Sequence, residues 1–321
     1  MGGLVLGLGA GPAGALPTTT TVNCSRGGDL QTAIDDASPG STISVSGTCY
    51  GNFSIGENLT LQGPAILDGT GYSGAPVLTI NVGTVVLTDL TIVNGDSGFG
   101  GGISANATVT LNFCIVSGNT AKYGGGGISN SGYALTLNSS AVSDNTSVLG
   151  GGLLNDGATM TLNSSQVWNN KASGAGGGIW SDDPLMLTSS SVSNNSASQG
   201  GGIYNNQYVT VTLTSSSVSN NSASQGGGIY NNDHATVTLT SSSVSNNSAS
   251  QGGGIYNNES TVTLNSSRVL LNTAPEGGGA IYNAGGTVTI NFSVVEFNFG
   301  RPAIDNDGGT VTLNSSVVFN F

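Results

Sequence analysis

Apolar residues recur along this chain in short alternating runs, and the runs return at a constant interval. In Thr210–Thr214 every second side chain is apolar, which is the period of a strand with one buried face. The apolar residue that follows each glycine run falls at Ile103, Ile128, Leu153, Ile179, Ile203, Ile229, Ile255, Ile281 and Ile304, spaced 23 to 26 residues apart. The string VSNNSASQGGGIYNN occurs without change at Val192–Asn206, Val218–Asn232 and Val244–Asn258. Such a period is the signature of a solenoid, in which no single repeat can bury its own apolar face and stacking supplies the core.

Each repeat reads as three short strands, x-V-T-L-N/T, S-S-V-x-x-N and G-G-I-x-N, separated by turns. Three strands in about 25 residues predict an all-β parallel β-helix. Aligned copies turn into ladders: leucines such as Leu187, Leu213 and Leu239, valines such as Val192, Val218 and Val244, and the isoleucines named above. Asparagines at Asn195, Asn221 and Asn247, and again at Asn205, Asn231 and Asn257, are expected at corners, where Asn tolerates a left-handed backbone and stacked amides can bond along the axis. One segment departs from the period. Asp29–Ser38 spaces Leu30, Ala33, Ile34 and Ala37 as a helix does, with Asp29 as N-cap and Pro39-Gly40 as stop, and predicts a short helix capping the first coil. The expected organisation is an N-terminal arm over 1–22 and one β-helix domain over 23–321. Within the domain lie the helix at 29–38, degenerate coils over 41–94 and regular repeats over 95–321.

Composition narrows the function classes. Five basic residues against 17 acidic ones give a formal charge of −12, so a nucleic-acid partner is excluded on electrostatic grounds. Charged residues make up only 7% of the chain, which leaves hydroxyls and amides to wet the surface and points to an extracellular or cell-surface location. Met1–Ala15 reads either as a signal peptide without its basic region or as a retained apolar arm. No later run is long and apolar enough to span a membrane. Cys24 and Cys49 bracket the N-terminal segment and could pair in an oxidising compartment, whereas Cys114 stands where other copies have Ser and reads as a buried small side chain.

Candidate chemistry lies in two columns. Trp180, Tyr204, Tyr230, Tyr256 and Tyr282 each follow the marker residue and should point outward if that residue points in. They form a candidate platform for sugar rings or a protein surface, with self-stacking that stiffens the sheet as the alternative. Four residues after the marker stand Asp183, Gln207, Asp233 and Glu259, with His234 beside Asp233. This is the best acidic cluster in the chain, and Asp233 and Glu259 on adjacent coils suggest a carboxylate pair for glycan chemistry, or weak calcium binding; a variable, solvated turn is the competing reading. The residues themselves name no catalytic group, no metal ligand set and no cofactor. Arg268 and Arg301 replace neutral residues in their columns.

The pattern V-x-x-N-[ST]-[AS] followed by G-G-[GA]-[IL] resembles the GGAI and FxxN repeats of chlamydial-type polymorphic outer-membrane proteins. More broadly, it resembles the right-handed parallel β-helix superfamily that includes pectate lyases and bacterial adhesins. The resemblance implies a right-handed helix and leaves two functions to weigh. One is a non-enzymatic structural or adhesive solenoid; the other is a polysaccharide-binding or polysaccharide-degrading protein. Repeats that continue to VTLNSSVVFNF make Val317, Val318, Phe319 and Phe321 an expected assembly end. The expected partner is then a second copy stacked head to tail into a filament, with glycans or cell-surface proteins as further partners.

Overall fold

In a computed structural model, described for residues 16–300 and 302–320, the chain winds into a parallel β-solenoid of about 12 turns. Met1–Ala15, Arg301 and Phe321 lie outside the described residues. Three walls run the length of the rod. The first carries strands such as Thr210–Thr214 and Thr236–Thr240, and the second carries Ser217–Ser219 and Ser243–Ser245. These two form one 22-stranded sheet that bends between them. The third wall, with Ile229–Asn232 and Ile255–Asn258, is an 11-stranded sheet of its own.

The degenerate coils use longer strands. Ser41–Tyr50, Leu59–Asp68 and Thr84–Val93 each run through both of the first two walls. The structure also adds an element that the three-strand pattern omits. Asp96–Phe99, Thr120–Gly124, Thr146–Leu149 and Lys171–Ala175 form a separate 4-stranded sheet between the asparagine corner and the glycines. From Ser196 onward the same place holds only isolated bridges, such as Ser196↔Ser222 and Gln199↔Gln225.

Core packing follows the ladders. Leu213, Leu239 and Leu264, Val218, Val244 and Val269, and Ile203, Ile229 and Ile255 are all fully buried in one continuous cluster. Each such side chain contributes roughly 1.5–3 kcal/mol through burial. Helix α1, Leu30–Asp35, is shorter than the apolar spacing suggested. It buries Leu30 and Ile34 and is capped by Asp29, whose side chain accepts from the Thr32 amide at 3.1 Å. That hydrogen bond holds the Asp29 carboxyl below its usual range. Cys24 and Cys49 are joined as a disulfide with Cα atoms 5.1 Å apart, stapling the segment before α1 to the Ser41–Tyr50 strand. Cys114 is buried, and burial pushes its thiol up to about 11. Among the described residues, no helix is long and apolar enough to cross a membrane.

The asparagine corners require a correction. In the ladder of Asn195, Asn221 and Asn247 the left-handed residue is the one before each member, as at Asn194, Asn220 and Asn246, with φ near +56, +56 and +55, and even at Leu271, whereas Asn205, Asn231 and Asn257 lie within strands of the third wall and not at corners. The ladder asparagine itself turns inward. Asn221 is buried, donates to the Val192 carbonyl at 3.1 Å and to Asn247 Oδ1 at 2.9 Å, and accepts from the Asn195 amide at 2.9 Å. A buried carboxamide thus satisfies backbone groups that the turn would otherwise orphan, which is a stronger reason for Asn than backbone tolerance.

Candidate functional site

The aromatic column is held by strand alternation on the third wall. Ile203 and Asn205 point inward and are buried, so Tyr204 between them projects outward. The glycines before it bring the chain close to that strand. Gly200 has φ +59, and a Cβ there would meet the Ile203 carbonyl oxygen at 2.5 Å. Register pairing sets Trp180, Tyr204, Tyr230, Tyr256 and Tyr282 on successive coils. Their rings lie face to face, with centroids 6.5, 5.2, 4.9 and 5.0 Å apart and interplanar angles from 2° to 15°.

Stacking changes what this column can offer. Tyr230 and Tyr256 are only 6% and 9% exposed. Leu154 stands in register below Trp180 and Asp305 above Tyr282, so the outer face at each end of the stack also has a neighbour. A sugar ring binds an aromatic platform through the face, and in this stack the faces are turned to one another. Burial, reinforced by Tyr256 and Tyr204, pushes the Tyr230 phenol well above its usual range; Tyr204, Tyr256 and Tyr282 shift the same way, each with burial as the main cause.

Of the acidic column, the structure brings together only part. Asp233, His234 and Glu259 present ligand atoms that all lie within 4.8 Å of one another, with His234 Nδ1 2.7 Å from Asp233 Oδ1. All three have positive φ, as does Tyr208, whose ring packs 5.4 Å from that of His234. The cluster is open: His234 is 56% and Asp233 32% exposed. Gln207 intervenes before Asp183, which belongs to a different acidic group. Asp156 and Asp183 both have raised carboxyl pKa values, through burial first and then the neighbouring Asp182 charge. Three solvent-facing donors fall short of the six to eight oxygens that calcium takes, so water would have to complete any cation site.

A third feature escaped the sequence reading. Where the first and second walls meet, a groove of about 440 Å³ is lined by Ser164, Ser165, Ser189–Ser191, Ser215–Ser217, Ser241–Ser243 and Ser266, with Gln166 and Arg268 at its ends. The repeated Ser-Ser pairs were its signal. The first serine of each pair turns the chain with positive φ, as at Ser215 and Ser241. The second is buried and fully used. Ser242 Oγ accepts from the Ser216 amide at 3.0 Å and donates to Leu213 and Thr240 carbonyls at 3.2 and 2.9 Å. Arg268 takes the place of Ser243 in register, which puts the groove's one cation at its end.

At the far end of the rod the expected assembly residues divide. Val318 pairs with the buried Val295 and points inward, only partly covered. Val317 and Phe319 are 44% and 53% exposed and lie on either side of inward-pointing Val318, so strand alternation turns them outward. Leu313, not among the expected residues, is 50% exposed, although its column is buried elsewhere. Phe321 lies outside the described residues.

No family model matches the chain, and no curated protein does. Two solved structures resemble it. Pectate lyase Pel9A aligns over 95% of this chain and 79% of its own length at 14% identity, with a TM-score of 0.48. An alginate lyase from Paenibacillus sp. strain FPU-7 aligns over 92% of this chain and 99% of its own at 15% identity, with a TM-score of 0.38. At these identities and TM-scores neither likeness carries an argument about this chain.

Proposed function

We propose that the chain is a non-enzymatic extracellular solenoid, a structural and adhesive rod that presents one surface many times over. The observation that supports this reading is the serine groove. Its walls repeat in register along the axis, and every lining residue between Gln166 and Arg268 is a serine whose buried members already bond the backbone. Acid/base catalysis needs convergent titratable groups of different pKa, whereas a hydroxyl groove with one cation at its end suits an extended glycan, held by many weak contacts. The tyrosine stack serves this rod as a spine and not as the sugar platform. Head-to-tail stacking of copies into a filament belongs to the same reading.

Binding of the full chain to a panel of immobilised polysaccharides tests the adhesive part. Retention that weakens in Arg268→Ala and persists in Tyr204→Phe is the expected result. Unsaturated-uronide or reducing-end release that Asp233→Ala abolishes would instead establish the enzyme reading, which the Asp233, His234 and Glu259 grouping favours. Electron microscopy at high concentration tests assembly, with isolated short rods as the outcome that removes the filament.

A further inference from the structure

The first wall carries a feature that the groove and the tyrosine stack do not share. Over Thr210–Asn314 its strands read TVTLT, TVTLT, TVTLN, TVTIN and TVTLN, and they pair residue for residue without a bulge. Val and Leu or Ile point inward, so every outward position is Thr or Asn, and no charged side chain stands among them. Two threonine columns result, one beginning Thr210, Thr236, Thr261 and the other Thr212, Thr238, Thr263. Within a strand their spacing is ~6.6 Å and between coils ~4.8 Å. Threonine is stiff at χ1, which restricts the orientations that its methyl and hydroxyl can take.

These hydroxyls are unspent. The amides at the strand ends bond one another, Asn291 to Asn265 and Asn314 to Asn291, each at 2.8 Å. No side-chain hydrogen bond from the threonines of the two columns is present among the described residues. A hydroxyl carries donor and acceptor on one oxygen and cannot reach its copy ~4.8 Å away, so its partner must come from outside the chain.

We propose that this threonine wall binds ice. A neutral two-dimensional array of hydroxyls and methyls at these two spacings lies close to the repeats of oxygen rows on faces of hexagonal ice. Water held between methyls by the hydroxyls can therefore belong to protein and crystal at once. Charges would orient water against that lattice, and this wall has none. A crystalline polysaccharide fits less well, because flat sugar faces call for exposed aromatic faces, and these strands carry no ring. The binding requires no chemistry of the serine groove, so either proposal can fail without the other.

Slow growth of polycrystalline ice from a dilute solution of the full chain tests the proposal. The protein is expected in the ice fraction, with faceted crystals and a gap between melting and freezing points. Thr238→Tyr with Thr263→Tyr should abolish both effects. Thr238→Ser with Thr263→Ser keeps the fold and the hydroxyls but frees χ1, and should weaken them. Ser219→Tyr is the control; it lies in a column that already holds Trp168 and Leu270, and should leave ice binding intact. Exclusion of the wild-type chain from ice, retention by the tyrosine double variant, or loss in Ser219→Tyr would each overturn the proposal. Pelleting with crystalline chitin or cellulose alongside exclusion from ice would do so as well.

Discussion

The tyrosine wall and the threonine wall are built by the same device and end in opposite states. Each sets one residue type outward on successive coils in strict register. Tyrosine rings are broad enough to fill the coil spacing, so they stack at about 5 Å and bury Tyr230 and Tyr256 against each other. Threonine hydroxyls cannot bridge that spacing and remain available. Asparagine falls on the side of tyrosine, because a carboxamide carries donor and acceptor on different atoms and so spans from coil to coil, as Asn231 does to Asn257 at 2.9 Å. In a solenoid, then, side-chain reach relative to the coil spacing decides which ladders hold the rod together and which face outward for use.

The largest effect is expected where a ladder already bonded along the axis is cut. Asn221→Ala leaves the Asn195 amide and the Val192 carbonyl without their buried partners, and two such groups at ~1–3 kcal/mol each imply a loss of several kcal/mol, read by urea unfolding. A loss below that of an ordinary surface substitution would remove the claim that the inward asparagines hold the corner. Reduction, or Cys24→Ser with Cys49→Ser, should cost ~2–4 kcal/mol, confined to the first coils. Hydrogen exchange that rises over Ser41–Tyr50 and not over Thr236–Thr240 checks that locality.

Tyr230→Ala removes two ring stacks and should cost about 2 kcal/mol, while leaving polysaccharide retention unchanged. Alkaline pH probes the same stack. Burial raises the folded-state phenol pKa values, so this contribution is whole below the ordinary tyrosine pKa of roughly 10 and is lost as pH rises through the folded values. Melting temperature should fall across that window, and less steeply in Tyr230→Phe with Tyr256→Phe. Smallest of all, Thr238→Val should change stability by no more than about 0.5 kcal/mol, because its hydroxyl bonds nothing in the chain. A larger effect would mean that the threonine wall is also spent.

Much of the rod was legible in the chain itself. The period, the inward Leu, Val and Ile columns and the Asp29-capped helix follow from alternation and capping chemistry that act over a few residues. The asparagine corner was half legible. Position and ladder were visible, but the left-handed turn at Asn220 and the inward bonding of Asn221 are indistinguishable in the dipeptide Asn-Asn. The serine groove left only its Ser-Ser pairs as a signal, since the concavity itself forms only after the sheet bends between the two walls. Alternation turned the tyrosines outward and left two readings, an open platform or self-stacking, and ring spacings of about 5 Å decide for the stack.

Sequence alone therefore determined the repeat, its strand alternation and its inward columns, because these depend on residue type at a regular spacing. Tertiary structure decided the rest: which outward ladder closes on itself, that Asp233, His234 and Glu259 converge while Asp183 joins Asp156 and Asp182, and that Arg268 stands at the end of a groove. Those outcomes depend on the distance between coils and the angle between walls, which exist only once the coils have stacked.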